Sequence, residues 1–278
     1  MNSPAQPFSR ATLKPATQAT PAAAATAVVW STIQAQAIDS GLKTMVYGPA
    51  GVGKTVLCAT LPLPIVFISA EGGALSLREK NLFRIFTESL GMHPDIASDR
   101  VREIARCHSV SVRTGADLRS VYQQLQAYPG GYQSVAWDSV TETAQVMLGL
   151  LKTTLADGRA RYGEMAESMM EFVRLFRDGL PGKHLCITAQ EGSYKDDVTG
   201  VVMHGPDMPG KQLTVRSPYW MDETFYMGIW TDPEGKQAQQ RYLLTQPNER
   251  YSAKDRSGVL DVMERPDLSA IIDKIRNS

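Results

Sequence analysis

A chain of 278 residues with 43% hydrophobic side chains can bury one substantial core, or at most two small ones. Its 29 Lys plus Arg balance 29 Asp plus Glu, so no overall basic field draws it to nucleic acid, and any such contact must come from local patches. No run approaches the ~18 consecutive apolar residues of a membrane span, the N-terminus shows no basic-then-apolar leader, and Cys58, Cys107 and Cys186 lack CxxC spacing, so the expectation is a soluble chain in a reducing cytoplasm.

Residues 1–29 are rich in Ala, Pro, Thr and Gln with almost no large apolar side chain, which predicts a disordered tail ahead of one folded domain, residues 30–278. From Val46 onward short apolar runs alternate with helical patterns, which predicts an α/β fold around a mainly parallel sheet. "TMVYG" reads as a strand, Lys54 to Leu61 as a helix and "PIVFISAE" as a second strand. Asp117 to Ala127 reads as a helix, "YQSVAWD" (132–138) as a strand, Glu142 to Leu155 and Glu164 to Gly179 as helices, and "HLCITAQ" (184–190) as a buried strand. "ETFYMGIWTDPEGKQAQQRYLLTQP" reads as two strands joined by a "DPEG" turn, an antiparallel hairpin that closes the sheet. "ERPDLSAIIDKIRNS" ends the chain as a short amphipathic helix, and no internal repeat is present.

"GPAGVGKT" (48–55) satisfies G-x-x-x-x-G-K-[ST] with an apolar strand before it and a helix after it. Glycines let successive backbone N–H groups face one concavity, a lysine neutralises the β and γ phosphates, and a hydroxyl ligates Mg²⁺. Gly48, Pro49, Ala50, Gly51, Val52, Gly53, Lys54, Thr55 and Val56 are therefore the expected phosphate cradle for ATP, with Lys54 also catalytic and Thr55 a metal ligand. The strand "SVAWD" ends in Asp138, the candidate carboxylate for the Mg²⁺ water shell, although the same residue could simply cap the next helix. Glu71, at the end of "PIVFISAE", is favoured as the group that polarises the attacking water; Glu142 is its rival and could instead be a plain first-turn helix residue favoured by the dipole.

The order of these strand ends resembles the RecA core, over roughly residues 42–230. There an acidic residue follows the strand after the P-loop helix ("FISAEGGAL"), an Asp-Ser pair ends the Mg²⁺ strand (Asp138 and Ser139), and a glutamine ends a later strand (Gln190 in "CITAQ"). "YGPAGVGKT", "WDSVTE", "RARYGEM" and "AKDRSG" bring the chain closer to the phage-encoded short RecA-like ATPases, which include the single-strand-annealing recombinases of the Sak group.

That resemblance implies Gln190 as a γ-phosphate sensor and two mobile loops for single-stranded DNA, "ADGRARYGE" (156–164) and residues 191–217. Arg159, Arg161 and Tyr162 in the first, and Tyr194, Lys195, Lys211 and Arg216 in the second, combine phosphate-seeking cations with rings on which bases stack. Asp157, Asp196 and Asp197 dilute that charge, and solvated loops would look the same. It further implies a homo-oligomer, a ring or short filament, with Lys254 or Arg256 reaching a neighbour's nucleotide as an arginine finger does. A single-strand-binding protein is a possible partner, and the compartment would be the bacterial host cytoplasm. Annealing or recombination on single-stranded DNA is the leading reading. A helicase or helicase-loader motor, and an ATP switch that does not hydrolyse, are the alternatives.

Overall fold

The computed structural model describes residues 41–195, 200–231 and 240–278; the expected tail 1–29 and the "DPEG" turn at 232–235 lie outside the described residues. The first half supplies strands β1 (Lys43–Gly48), β2 (Ile65–Ser69), β3 (His108–Ser111) and β4 (Ser134–Asp138). These are followed by β5 (His184–Lys195), β6 (Val202–Pro206), β7 (Glu223–Trp230), β8 (Gln240–Leu244) and β9 (Met263–Glu264). They form one sheet in the order β3-β2-β4-β5-β1-β7-β8-β9, with β6 paired to β5. Pairing is parallel from β3 through β7, and β8 and β9 close the sheet antiparallel.

The central strands alternate between two apolar layers, so both faces of the sheet are covered, as a parallel sheet requires. Met45, Tyr47, Val135, Trp137, Leu185 and Ile187 face one cluster, while Val46, Ala136 and Cys186 face the other. The first layer is covered by α4 (Gly115–Ala127), α5 (Val140–Thr154) and α6 (Gly158–Asp178), through residues such as Leu118, Ala144 and Phe176. The second is covered by α1 (Lys54–Cys58), α2 (Glu79–Arg84), α3 (Pro94–Ile104) and the C-terminal α8 (Leu268–Arg276), through Leu57, Leu82, Val101 and Ile271. A short α7 (Lys211–Arg216) follows β6. Among the described residues no helix is long and apolar enough to cross a membrane.

Capping sets where the helices begin. Thr114 Oγ1 accepts the Asp117 N–H at 3.1 Å and Asp117 Oδ2 accepts the Thr114 N–H at 2.9 Å, a capping box that fixes the first turn of α4. Ser139 Oγ accepts from the Glu142 N–H at 3.3 Å at the head of α5. Helix α1 is shorter than the periodicity of Lys54 to Leu61 predicts. It ends at Cys58, because the amides of Ala59, Thr60 and Leu61 each reach back three residues, tightening the chain ahead of Pro62.

The described residues of the two segments expected as mobile loops carry regular secondary structure. Residues 158–164 form the opening turns of α6, because Asp157 Oδ1 caps the Arg159 N–H at 3.0 Å and Gly158 and Gly163 face open space. Residues 191–195 continue β5 beyond the sheet and pair antiparallel with β6, so most of 191–217 is a hairpin followed by α7; Asp196 and Asp197 lie outside the described residues. Cross-strand pairing satisfied there by main-chain groups leaves no apolar alternation for the sequence to display.

Candidate nucleotide site

Strand β1 delivers the Gly-rich turn at the carboxyl end of the sheet, with Gly48 in register with Gln190 of β5. Glycine is obligatory at two points of that turn. A Cβ on Gly48 would collide with the Met227 carbonyl oxygen, and Gly53 sits at φ +111°, where L side chains are strained. Val52 anchors the turn, being 1% exposed in the second apolar layer, while Pro49, Ala50 and Gly51 stand at the surface.

Lys54 Nζ folds back over the turn, donating to the carbonyls of Gly48 at 2.7 Å and Pro49 at 3.1 Å. Burial lowers its pKa, while the nearby carboxylates Asp138, Glu71 and Glu191 hold it up in part. The next residue makes the contact that defines the site: Thr55 Oγ1 donates to Asp138 Oδ2 at 2.6 Å. The other oxygen of Asp138, Oδ1, accepts from the buried hydroxyl of Thr188. Asp138 is 7% exposed, so both hydroxyls orient a carboxylate largely removed from solvent.

Glu71, two residues past β2, accepts from Ser139 Oγ, which ties it to the strand end that carries Asp138. Gln190 is exposed, and its backbone is fixed by two bonds: its N–H donates to Thr141 Oγ1 at 2.9 Å, and its carbonyl accepts from Asp207 N–H at 2.7 Å. Lys54, Thr55, Val56, Glu71, Asp138 and Gln190 line one cleft of about 700 Å³, together with Pro49, Ala50, Gly51 and Gly53. That volume suits a nucleotide-sized ligand. Glu142 is not on this lining; it sits in the first turn of α5, half-buried.

The remaining candidates are placed as follows. Arg159 is exposed, whereas Arg161 is spent on its own chain, Nε on the Leu155 carbonyl at 2.6 Å and Nη2 on that of Ala156 at 2.7 Å. Tyr162 is 49% exposed, and a Cβ on Gly210 would lie 3.8 Å from its ring, so the α6 segment and the segment after β6 meet there. Tyr194 is half-buried on β5, Lys195 exposed at its end and Arg216 exposed at the end of α7; the side chain of Lys211 falls outside the described residues. Lys254 Nζ donates to the Met221 carbonyl at 2.5 Å and Arg256 pairs with Asp222 at 2.6 Å. Asp222 also accepts from the Lys43 N–H, at the end of β1 remote from the P-loop turn, so both cations are engaged within the chain at the opposite end of the central strands.

Sequence reasoning missed several residues at the cleft. Thr188 had a usable signal, a hydroxyl two residues before Gln190 inside an apolar strand. Glu191 lines the cleft and pairs with His204 Nδ1 at 2.8 Å on β6. Arg241 of β8 reaches the turn from 189 residues away, its Nε on the Val52 carbonyl at 2.7 Å, and Arg84 of α2 also lines the cleft. Nothing local in the sequence marks either arginine.

A parallel sheet whose Gly-rich strand-to-helix turn carries a Lys-Thr pair, with the threonine on a carboxylate from another strand, defines a P-loop nucleotide-binding fold. A family model described as "AAA domain" matches residues 40–257, and the chain belongs to that family of nucleotide-binding ATPases. A search of the curated proteins returned no match.

Proposed function

We propose that the protein is a Mg²⁺-dependent ATPase of the RecA-core type that binds single-stranded DNA and promotes annealing or recombination, in the manner of the short phage recombinases. The observation that carries the nucleotide part is the 2.6 Å contact between Thr55 and Asp138 inside the cleft that Lys54 borders. Thr55 and Asp138 are hard oxygen donors, and among the described residues no cluster of three His, Cys, Asp or Glu could cage a metal alone. That sparse donor set fits Mg²⁺, which keeps several waters and takes substrate phosphate oxygens. When bound, the ion neutralises charge on the phosphates.

The chain's own groups divide the remaining work. Lys54 exchanges its carbonyl partners for phosphate oxygens, and the main-chain amides of the turn complete the cradle. Glu71, oriented by Ser139, accepts a proton from the attacking water. Gln190 leads directly into the β5–β6 hairpin, so a change at the γ-phosphate reaches that hairpin through a continuous strand. Support for the DNA part is the meeting of Tyr162 with the segment after β6, which sets Tyr162, with Arg159 three residues before it on α6, against the chain that leaves the base of the β5–β6 hairpin. Assembly into a ring or short filament, and cooperation with a single-strand-binding protein, belong to the same reading.

The test is MgATP turnover without DNA, with single-stranded DNA and with duplex, with particle size measured in each condition. Single-stranded DNA should raise turnover. Arg159→Ala combined with Tyr162→Ala should weaken DNA binding and leave ATP binding intact. Stimulation by duplex alone, or by neither form, would sink the DNA part.

A further inference from the structure

Arg241 stands on β8, in register with Ile229 of β7, and the β7–β8 hairpin packs along the outer side of the P-loop turn. Its Nε–H donates to the Val52 carbonyl at 2.7 Å. That carbonyl lies outside the helical ladder: the first main-chain bond at the head of α1 runs from the Leu57 N–H to the Gly53 carbonyl, 2.9 Å, one residue later. The Val52–Gly53 peptide bond is trans, since the cis bonds of the chain lie elsewhere. In a trans peptide the C=O and the following N–H point in opposite directions. Holding the Val52 oxygen toward β8 therefore turns the Gly53 N–H away from β8, at a residue that lines the nucleotide cleft.

The residue that receives this orientation has the least resistance of its own to rotation. Gly53 has no side chain and sits at φ +111°, so its neighbouring peptide planes are free to turn unless something outside the loop fixes them. Lys54 grips the carbonyls at the start of the turn, Gly48 and Pro49. Arg241 grips the one at its end. The site is thereby clamped from both sides, and only the Lys54 half is written in the P-loop motif.

We infer that Arg241 is a positioning residue of the nucleotide site, which orients the Gly53 amide toward the phosphates by holding the Val52 carbonyl. The inference rests on the nucleotide reading above and adds to it a determinant from β8, two strands along the sheet from the P-loop strand. Because the effect passes through an amide that meets phosphate, it should depend on the phosphates of the ligand and not on its nucleoside.

Calorimetric titration with MgADP and with adenosine, on wild type, Arg241→Met and Arg241→Lys, tests it. Removing one hydrogen bond that involves a charged group should weaken MgADP binding by about ten- to hundredfold in Arg241→Met, with adenosine affinity unchanged. Arg241→Lys keeps a donor of similar reach and should stay within about threefold of wild type. The Arg241→Met loss should persist at high salt, because peptide orientation is not screened whereas a bare charge effect is. MgADP binding as tight as wild type in Arg241→Met, an equal loss toward adenosine, or a loss that vanishes at high salt would each overturn the inference. If Arg241→Met does not fold, Arg241→Lys decides: folded but tenfold weaker for MgADP, it refutes the single-bond mechanism. If wild type binds no MgADP, the nucleotide reading itself falls and this inference with it.

Discussion

Thr188→Val is the most informative perturbation of the cleft, because it deletes one hydroxyl and keeps the shape of the side chain. Thr188 is fully buried in β5 and its hydroxyl donates to Asp138 Oδ1. Asp138 is 7% exposed, and its other oxygen is held by Thr55 at 2.6 Å. The valine would leave one oxygen of a buried carboxylate without a protein donor. A hydrogen bond to a charged group contributes about 1.5–3 kcal/mol, and a domain of this size loses about 2–4 °C of Tm per kcal/mol. The expected fall in Tm is therefore roughly 3–12 °C.

Two measurements separate this from generic core damage. Thermal unfolding followed by circular dichroism gives the fall in Tm, and MgATP turnover should fall as well, since Asp138 loses one of the two hydroxyls that orient it. In an Asp138→Asn background the same Thr188→Val change should cost clearly less, because the pair then no longer couples a hydroxyl to a carboxylate. A Tm within a degree of wild type, or equal losses in both backgrounds, would refute the reasoning and show that Thr188 does not orient Asp138.

Lys54→Ala and Glu71→Gln should fail in different ways: the first loses MgATP binding by equilibrium titration with little change in Tm, since Lys54 bonds only to turn carbonyls, while the second binds MgATP normally and does not turn it over. Turnover in Glu71→Gln comparable to wild type would transfer the water-activating role elsewhere, Glu142 being the alternative. His184 sets an acid limit on stability. Burial, then the charges of Arg276 and Lys43, lower its pKa from 6.5 to about 4, and its Nδ1 accepts the Leu42 N–H at 3.1 Å. Between those values the unfolded chain binds the proton and the folded one does not, so this contribution is complete above pH 6.5 and is lost as pH falls toward 4, by about 3 kcal/mol in all. His184→Asn keeps an acceptor for Leu42 without the titration, so denaturant midpoints of the two proteins should diverge across that window; parallel curves would contradict the assignment.

How much of this was legible in the sequence follows from the range of each interaction. The strands around Val46, Ile68 and Val135 are short apolar runs bounded by turn residues, and the P-loop turn is a contiguous pattern whose glycines answer to local geometry. The ordered start of α6 was harder to see. Asp157, Gly158 and Gly163 all read as loop residues, yet Asp157 caps the helix and Arg161 closes onto the carbonyls of residues 155 and 156. The extension of β5 into a hairpin with β6 was hidden for a different reason: those strands pair outside the apolar core, so Ser193, Tyr194 and Lys195 show no alternation. Strand β3 and helices α2 and α3 also went unassigned, and β3 carries little apolar signal, with His108, Ser109 and Ser111 exposed.

The cleft itself shows why residue identity and site geometry are separate problems. Three groups proposed to act at the nucleotide already have an internal partner: Lys54 the carbonyls of Gly48 and Pro49, Thr55 the carboxylate of Asp138, and Glu71 the hydroxyl of Ser139, while Arg241 holds the Val52 carbonyl of the turn. Ligand entry is then an exchange of partners, and exchanging one hydrogen bond for another of similar strength yields little net free energy. What tips the exchange is charge. Phosphate oxygens are stronger acceptors than peptide carbonyls for an ammonium group and for a set of converging amides, so affinity in this cleft should climb with each phosphate added to the same nucleoside. The motif names the groups that make the exchange, and only the fold, through β8 and the hydroxyl of Thr188, holds them where the exchange can occur.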